Sequence, residues 1–276
     1  MTKDPHSPLQ YALIEAIDRM DARGVRQALI DGANPNLTHP CLWTGRAMPA
    51  MGRAQAEFAH SESPVFQEIY QALIEAGAKV NDHYGRMAFR DAINDYNLPL
   101  VRLFFEQGFD LHGQVWPLWT QDLSLMRYLV EEQGLPVNVS IPGRGTPLHY
   151  VCLFRNEGQI RYLLSKGAHV NALDDQRNTS LNLCVQNGAD ELVPLLLENH
   201  ANPSLANYQG NTPLHFVSDA CTAKMLMDYG ANLYAVNQEG LTPLDMDNAE
   251  ALATIEHRHL GRATHQVERH AVVHRL

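Results

Sequence analysis

The sequence predicts an all-α solenoid of stacked helix-turn-helix units with hairpin-like loops, and two periodicities in register predict it. GTPLHYV at Gly145–Val151 returns as NTSLNLC at Asn178–Cys184, NTPLHFV at Asn211–Val217 and LTPLDM at Leu241–Met246. The threonines, Thr146, Thr179, Thr212 and Thr242, stand 33, 33 and 30 residues apart. A second marker keeps step, as GAHVN from Gly167, HANPS from His200 and GANLY from Gly230. Such an array grows in one dimension, each unit burying its apolar face against the next, and needs no central core.

Within each unit the residue types dictate two helices. A threonine hydroxyl caps a first helix, and proline at the first helical position, as in Pro147, loses only an orphan N–H. Leu148 opens the buried face. A second amphipathic helix follows in IRYLLSKG (Ile160–Gly167) and LVPLLLENH (Leu192–His200). Gly167 and Gly230 suit left-handed C-terminal caps, a pattern from which His200 departs.

The period near 33 with its Thr-Pro-Leu-His core resembles the ankyrin repeat family. The resemblance implies that His149 and His215 are structural, hydrogen-bonding the turns of neighbouring repeats rather than acting as bases or ligands. It also implies a concave face, made of hairpin tips and first-helix ends, that binds proteins. LLSKGAHVNAL further resembles ankyrin segments hydroxylated at asparagine, with Asn171 the candidate and Asn81 and Asn138 weaker. The competing reading is that asparagine there satisfies the backbone of the turn.

In chain order, Ser7–Asn36 is a complete first unit, with Ser7-Pro8 in place of Thr-Pro. Gly77-Ala78 follows Gly32-Ala33 by 45 residues rather than 33, so about a dozen residues are inserted within 37–62. The insert carries Cys41, Trp43, Met48 and Met51, an apolar load unusual for a solvent loop. Ser63-Pro64 then opens a second helix. The third unit, Gly85–His112, has Arg-Met-Ala-Phe in place of the motif, and the fourth, Val115–Asn138, has Trp-Pro-Leu-Trp and is short. Units five to seven cover about 139–171, 172–204 and 205–234. A capping repeat follows at about 235–261, closing a repeat domain of 1–261, and 262–276 form a His/Arg-rich extension.

Composition bounds the function. The 276 residues are 45% apolar, and their net charge of −10 argues against nucleic acid and anionic membranes and favours a basic partner. No run reaches the length of a membrane span, and the acidic, amphipathic start lacks signal-peptide order, so a cytoplasmic chain is expected, with a monomer favoured. The four cysteines show no Cys-x-x-Cys spacing, and Cys152 and Cys184 read as reduced core thiols. No phosphate loop, dinucleotide fingerprint or zinc-ligand series occurs, and no cofactor is expected. Residues 256–276 carry four Arg against two Glu, with His257, His259, His265, His270 and His274. His270 and His274 could share one helix face with a metal, but no Cys or carboxylate ligand accompanies them, and an exposed polar tail is favoured.

The function expected is non-enzymatic binding of a protein, in an adaptor or bacterial effector, with a stoichiometric inhibitor such as an immunity protein as the alternative. An enzyme using Cys41 with His39 or His60 is a further alternative, lacking a third orienting group. The family pattern places His83, Tyr84, Trp116, Ile141, Arg144, Asp174, Asp175, Tyr208 and Glu239 on hairpins. It places Ile93, Asn94, Leu153, Phe154, Gln186, Asn187 and Ser218 at first-helix ends. Trp43 joins these as the aromatic of the insert. Aromatic and Arg residues there suit interface hot spots, and the acidic members suit a basic ligand. For Trp116 core and surface readings are balanced, and Trp119 reads as core.

Overall fold

A computed structural model describes residues 7–40, 47–58, 64–111 and 116–246. The chain divides into two compact units, Met1–Gln133 and Gly134–Leu276, each a stack of helix pairs.

The first unit opens with α1 (Pro8–Asp18) and α2 (Ala22–Ile30). Ser7 accepts the amide of Gln10 and Asp21 that of Arg23, so each helix starts where a short polar side chain can satisfy an orphan N–H. A two-residue antiparallel pair follows, β1 (His39–Pro40) with β2 (Ala47–Met48), in which His39 faces Met48. Then come α3 (Ala50–Phe58), α4 (Pro64–Glu75), α5 (His83–Asn94) and α6 (Leu98–Glu106), a 3-10 turn at Trp116–Leu118, and α7 (Leu123–Glu131). Leu13, Ile17, Val25, Ile69, Leu73, Phe89, Phe104 and Leu125 form the core.

The extra dozen residues are not one loop. Part lengthens the β1–β2 hairpin, and part lengthens the helices. α3 has nine residues, and α4 has 12. Met48 and Met51 are buried, so these two apolar side chains of the insert build core rather than a docking surface. Cys41, Trp43 and His60 lie outside the described residues.

The second unit is more regular. It contains α8 (Pro147–Leu153) and α9 (Glu157–Ser165), then α10 (Ser180–Gln186), a 3-10 turn at Asp190–Leu192 and α11 (Val193–Glu198). The next repeat has a 3-10 turn at Pro213–Phe216 and α12 (Ala220–Asp228), and a last 3-10 turn spans Pro243–Asp245. α8 and α10 have seven residues each, and in the shortened repeats of both units the first helix contracts to a 3-10 turn. Cys152 and Cys184 are buried as expected. The capping repeat beyond Met246, the 262–276 extension and its histidines lie outside the described residues.

Two devices tie repeat to repeat, the first in both units and the second within the second unit. The first is an asparagine that follows α2, α4, α7 and α9. Asn138 donates to the Gly167 carbonyl at 2.9 Å and accepts the His169 amide at 2.7 Å. Asn171 does the same with the His200 carbonyl and the Asn202 amide, and so do Asn36 with Gly77 and Lys79 and Asn81 with Gly108 and Asp110. The backbone-satisfying reading of these asparagines therefore holds, with the next repeat as the partner. The acceptor carbonyl belongs to a left-handed residue, Gly167 at φ +83° and His200 at φ +67°, where a Cβ is unfavourable and glycine is the usual solution.

The second device sits at the motif's fourth residue. His149 is 1% exposed. Its Nε2 lies 3.1 Å from the Asn178 carbonyl in the next repeat. Its Nδ1 accepts the Thr146 amide at 3.1 Å and the Thr146 hydroxyl at 2.8 Å. A carbonyl can only accept and an amide can only donate, so the ring is the neutral tautomer with its proton on Nε2. Burial lowers its pKa from the ordinary histidine value, against the pull of the Asn178 carbonyl. His215 repeats the arrangement with Thr212 and the Leu241 carbonyl. Asn182 substitutes for the imidazole in the repeat between, donating to the Asn211 carbonyl. Asp245 takes the place in the last, its carboxylate bonded by both the amide and the hydroxyl of Thr242, which hold its pKa low.

Candidate functional site

The residues selected from the sequence divide sharply between the two units. In the first, the hairpin assignment of His83 and Tyr84 is corrected: both lie in the first turn of α5, capped by Asp82. No hairpin precedes that helix, because Asn81 and Asp82 run straight into it. Tyr84 lies against α3, so close to Gly52 that a Cβ there would stand 2.8 Å from the ring. Ile93 is also corrected. It is 2% exposed and belongs to the core, since α5 runs 12 residues and its last turn stays packed. Trp116 is half-buried, its ring 6.0 Å from Phe89 and beneath the Arg90 guanidinium. Phe89 stacks on Phe109 with centroids 4.1 Å apart, so an aromatic cluster replaces the histidine bonds in this repeat. Trp119 is core, as expected. A groove of about 350 Å³ opens between α2 and α4, lined by Arg26, Leu29, Ile30, Ala72, Glu75 and Ala76.

In the second unit the selected residues form two rows. One lies along the hairpin tips. Arg144, Asp175, Tyr208 and Glu239 are exposed there, while Ile141 is half-buried and bridges Gly145. The tips are tied together: the Gly143 amide donates to Asp175, the Tyr208 amide to the Gln176 carbonyl at 3.0 Å, and the Gln238 amide to the Gln209 carbonyl at 2.9 Å. Asp174 is half-buried and turns both oxygens inward, one onto the amides of Gln176 and Asn178, the other onto the Asn178 side chain. It serves the turn, as the position of its motif implies.

The other row runs along the first-helix ends. Leu153 and Phe154 are 47% and 49% exposed, and Tyr150 packs against Phe154 with centroids 4.6 Å apart. Gln186, Asn187 and Ser218 continue the row, all exposed. Arg155 links two repeats in it, donating to the Asn187 carbonyl at 2.6 Å and lying 3.6 Å from Glu191. α8 begins at the base of one hairpin and ends at Leu153, so the two rows are separated by the length of a seven-residue helix, about 10 Å.

One member of the first row was missed from sequence. Arg177 stands on its hairpin tip at φ +61°, with its guanidinium over the Tyr208 ring at 5.8 Å to the centroid. The signal was available, since Arg177 follows Arg144 by the same 33 residues as the motif threonines.

Comparison with known proteins agrees with this architecture. Residues 119–207 match the family described as Ankyrin repeats (3 copies), and residues 209–238 match Ankyrin repeat. The chain is similar to two ankyrin repeat proteins of Fowlpox virus (strain NVSL). It is 33% identical to one over 139 residues, 45% of this chain and 39% of the relative. It is 30% identical to the other over 112 residues, 39% of this chain and 78% of the relative. It is also 30% identical over 105 residues to the ankyrin repeat, SAM and basic leucine zipper domain-containing protein 1 of Eulemur macaco macaco, covering 37% of this chain and 22% of that protein. The matches thus span well under half of the first and third relatives and most of the second. With the repeat period, the stacked helix pairs and the inter-repeat bonds all in agreement, the chain belongs to the ankyrin repeat family.

Proposed function

We propose that the second unit binds a partner protein through its hairpin tips and first-helix ends. Ankyrin repeats generally serve as protein–protein interaction modules, and members are typically non-enzymatic. The observation that carries the reading here is the exposed Leu153–Phe154 pair. The core of that repeat is built by Leu148, Val151 and Cys152 beneath it, so Leu153 and Phe154 are left about half exposed, with Phe154 against the Tyr150 ring. Exposed aromatic and apolar groups flanked by a row with Tyr208, Arg144 and Arg177 have the composition of interface anchors.

The finer setting is part of the same proposal: an adaptor acting in the cytoplasm, with a stoichiometric inhibitor as the second reading. The two differ in affinity, the inhibitor holding one target at nanomolar strength or tighter, with an association rate that falls steeply with salt. The test is affinity capture from source-cell lysate with the full chain and with a variant carrying Leu153→Ala, Phe154→Arg and Tyr208→Ala. One stoichiometric protein retained by the wild type and lost with the variant is expected. Equal retention by the variant would remove these rows from consideration.

A further inference from the structure

The hairpin tips of the second unit carry two arginines in repeat register whose guanidiniums point to no carboxylate. Arg144 and Arg177 make no ion pair among the described residues, and Arg177 faces only the Tyr208 ring. The two carboxylates beside them keep their charge but are turned onto hydrogen bonds within the tips rather than onto the guanidiniums. Asp174 spends both oxygens on its own turn, and Asp175 accepts the Gly143 amide. At these two tips the side-chain donors left to meet a partner are therefore the guanidiniums, with the Tyr208 ring beside them, while Glu239 stands exposed two tips further on; the whole chain carries a net charge of −10. At physiological ionic strength the Debye length is about 8 Å, so charges on remote repeats are screened and the contacting groups decide the preference.

We infer that the partner presents an extended acidic segment: Asp or Glu side chains against Arg144 and Arg177, and an apolar side chain against Leu153 and Phe154. This rests on the proposed use of the two rows, and names the ligand they take. Guanidinium forks match carboxylates bidentately, and an aromatic face beneath one of them holds it in place. The rows lie about 10 Å apart, which an extended chain spans in about three residues. The segment thus carries its apolar anchor about three to five positions from its acidic residues.

The experiment is a selection of random peptides of about 12 residues displayed on phage, with the full chain as bait. A parallel selection uses a variant carrying Arg144→Glu and Arg177→Glu, both on exposed tips, with unchanged far-UV circular dichroism as its folding control. The wild type should enrich Asp/Glu-rich peptides with a Leu or Phe at the stated spacing, and the variant should enrich Lys/Arg-rich ones. A selected wild-type peptide, synthesised with a fluorophore, should lose at least tenfold in affinity on the charge-reversed variant. Wild-type enrichment without acidic preference, an acidic preference unchanged in the variant, or no enrichment at all would overturn the inference. Non-acidic peptides that lose binding with Leu153→Ala and Phe154→Arg would sink this inference alone and leave the interaction surface standing. Peptides indifferent to both sets of changes would sink both.

Discussion

Replacing His149 by alanine should destabilise the second unit by about 3 kcal/mol, whereas asparagine should cost only about 1. The difference follows from which groups lose partners. Alanine removes the acceptor for the buried Thr146 amide, and a buried unsatisfied N–H costs about 1–3 kcal/mol. It also removes the bond from Nε2 to the Asn178 carbonyl, worth about 1 kcal/mol, although that carbonyl keeps the Asp174 amide at 3.0 Å. The void left by the ring adds to both. Asparagine keeps a side-chain acceptor and a donor at this place, as in repeat six, where the fully buried Asn182 accepts the Thr179 hydroxyl and donates to the Asn211 carbonyl at 3.3 Å. The assay is urea unfolding of the full chain, read by circular dichroism and by amide exchange at Val151, Ile160 and Leu163. A gap of about 2 kcal/mol between the variants is expected. Equal costs, within about 0.5 kcal/mol, would mean that the ring contributes by filling space and that the hydrogen-bond reasoning is wrong.

Three further outcomes follow from the same structure. Because burial lowers the pKa values of His149 and His215, their unfolded forms bind protons first as pH falls. Stability is then full above the unfolded histidine pKa near 6.5 and is lost as pH drops towards the lowered folded values. Melting between about pH 7.5 and 5.5 should show this loss, and the double variant His149→Asn, His215→Asn should flatten it. His200→Gly should stabilise by about 0.5–1 kcal/mol in urea unfolding, since a left-handed non-glycine residue is strained by about 1–2 kcal/mol and glycine's unfolded entropy returns part of that. Phe89→Ala should cost the first unit about 3–5 kcal/mol, because the ring is fully buried among Phe104, Phe105 and Phe109.

The sequence was most legible where chemistry recurs at fixed spacing. Thr146, His149, Gly167 and Asn171 each perform a backbone task that only a few side chains can do, so their period exposed the fold and the roles of both histidines. It was least legible where a repeat lost those markers. In repeat three Phe89 stands in the histidine's place and bonds nothing, the preceding hairpin is missing, and α5 is longer. A register borrowed from the regular repeats therefore put His83 and Tyr84 on a hairpin and Ile93 on the surface. Residue identity alone gave no warning, since isoleucine at a helix end suits either side. The candidate surface was legible for Leu153, Phe154 and Tyr208, large apolar or aromatic residues in slots that normally face water. Arg177 was missed although its register with Arg144 is plain. That Asp174 faces inward is a matter of hydrogen-bond direction, which spacing does not encode.

The most direct test of the interaction surface is photo-crosslinking from single positions of the full chain in lysate. A benzophenone side chain would replace Phe154 or Tyr208, with Ile30, 78% exposed in the first unit, and Tyr229, 49% exposed at the C-cap of α12, as comparison sites. The account predicts one and the same crosslinked protein from Phe154 and Tyr208 and none from Ile30 or Tyr229. A partner captured from Ile30 or Tyr229 while Phe154 and Tyr208 stay silent would contradict it.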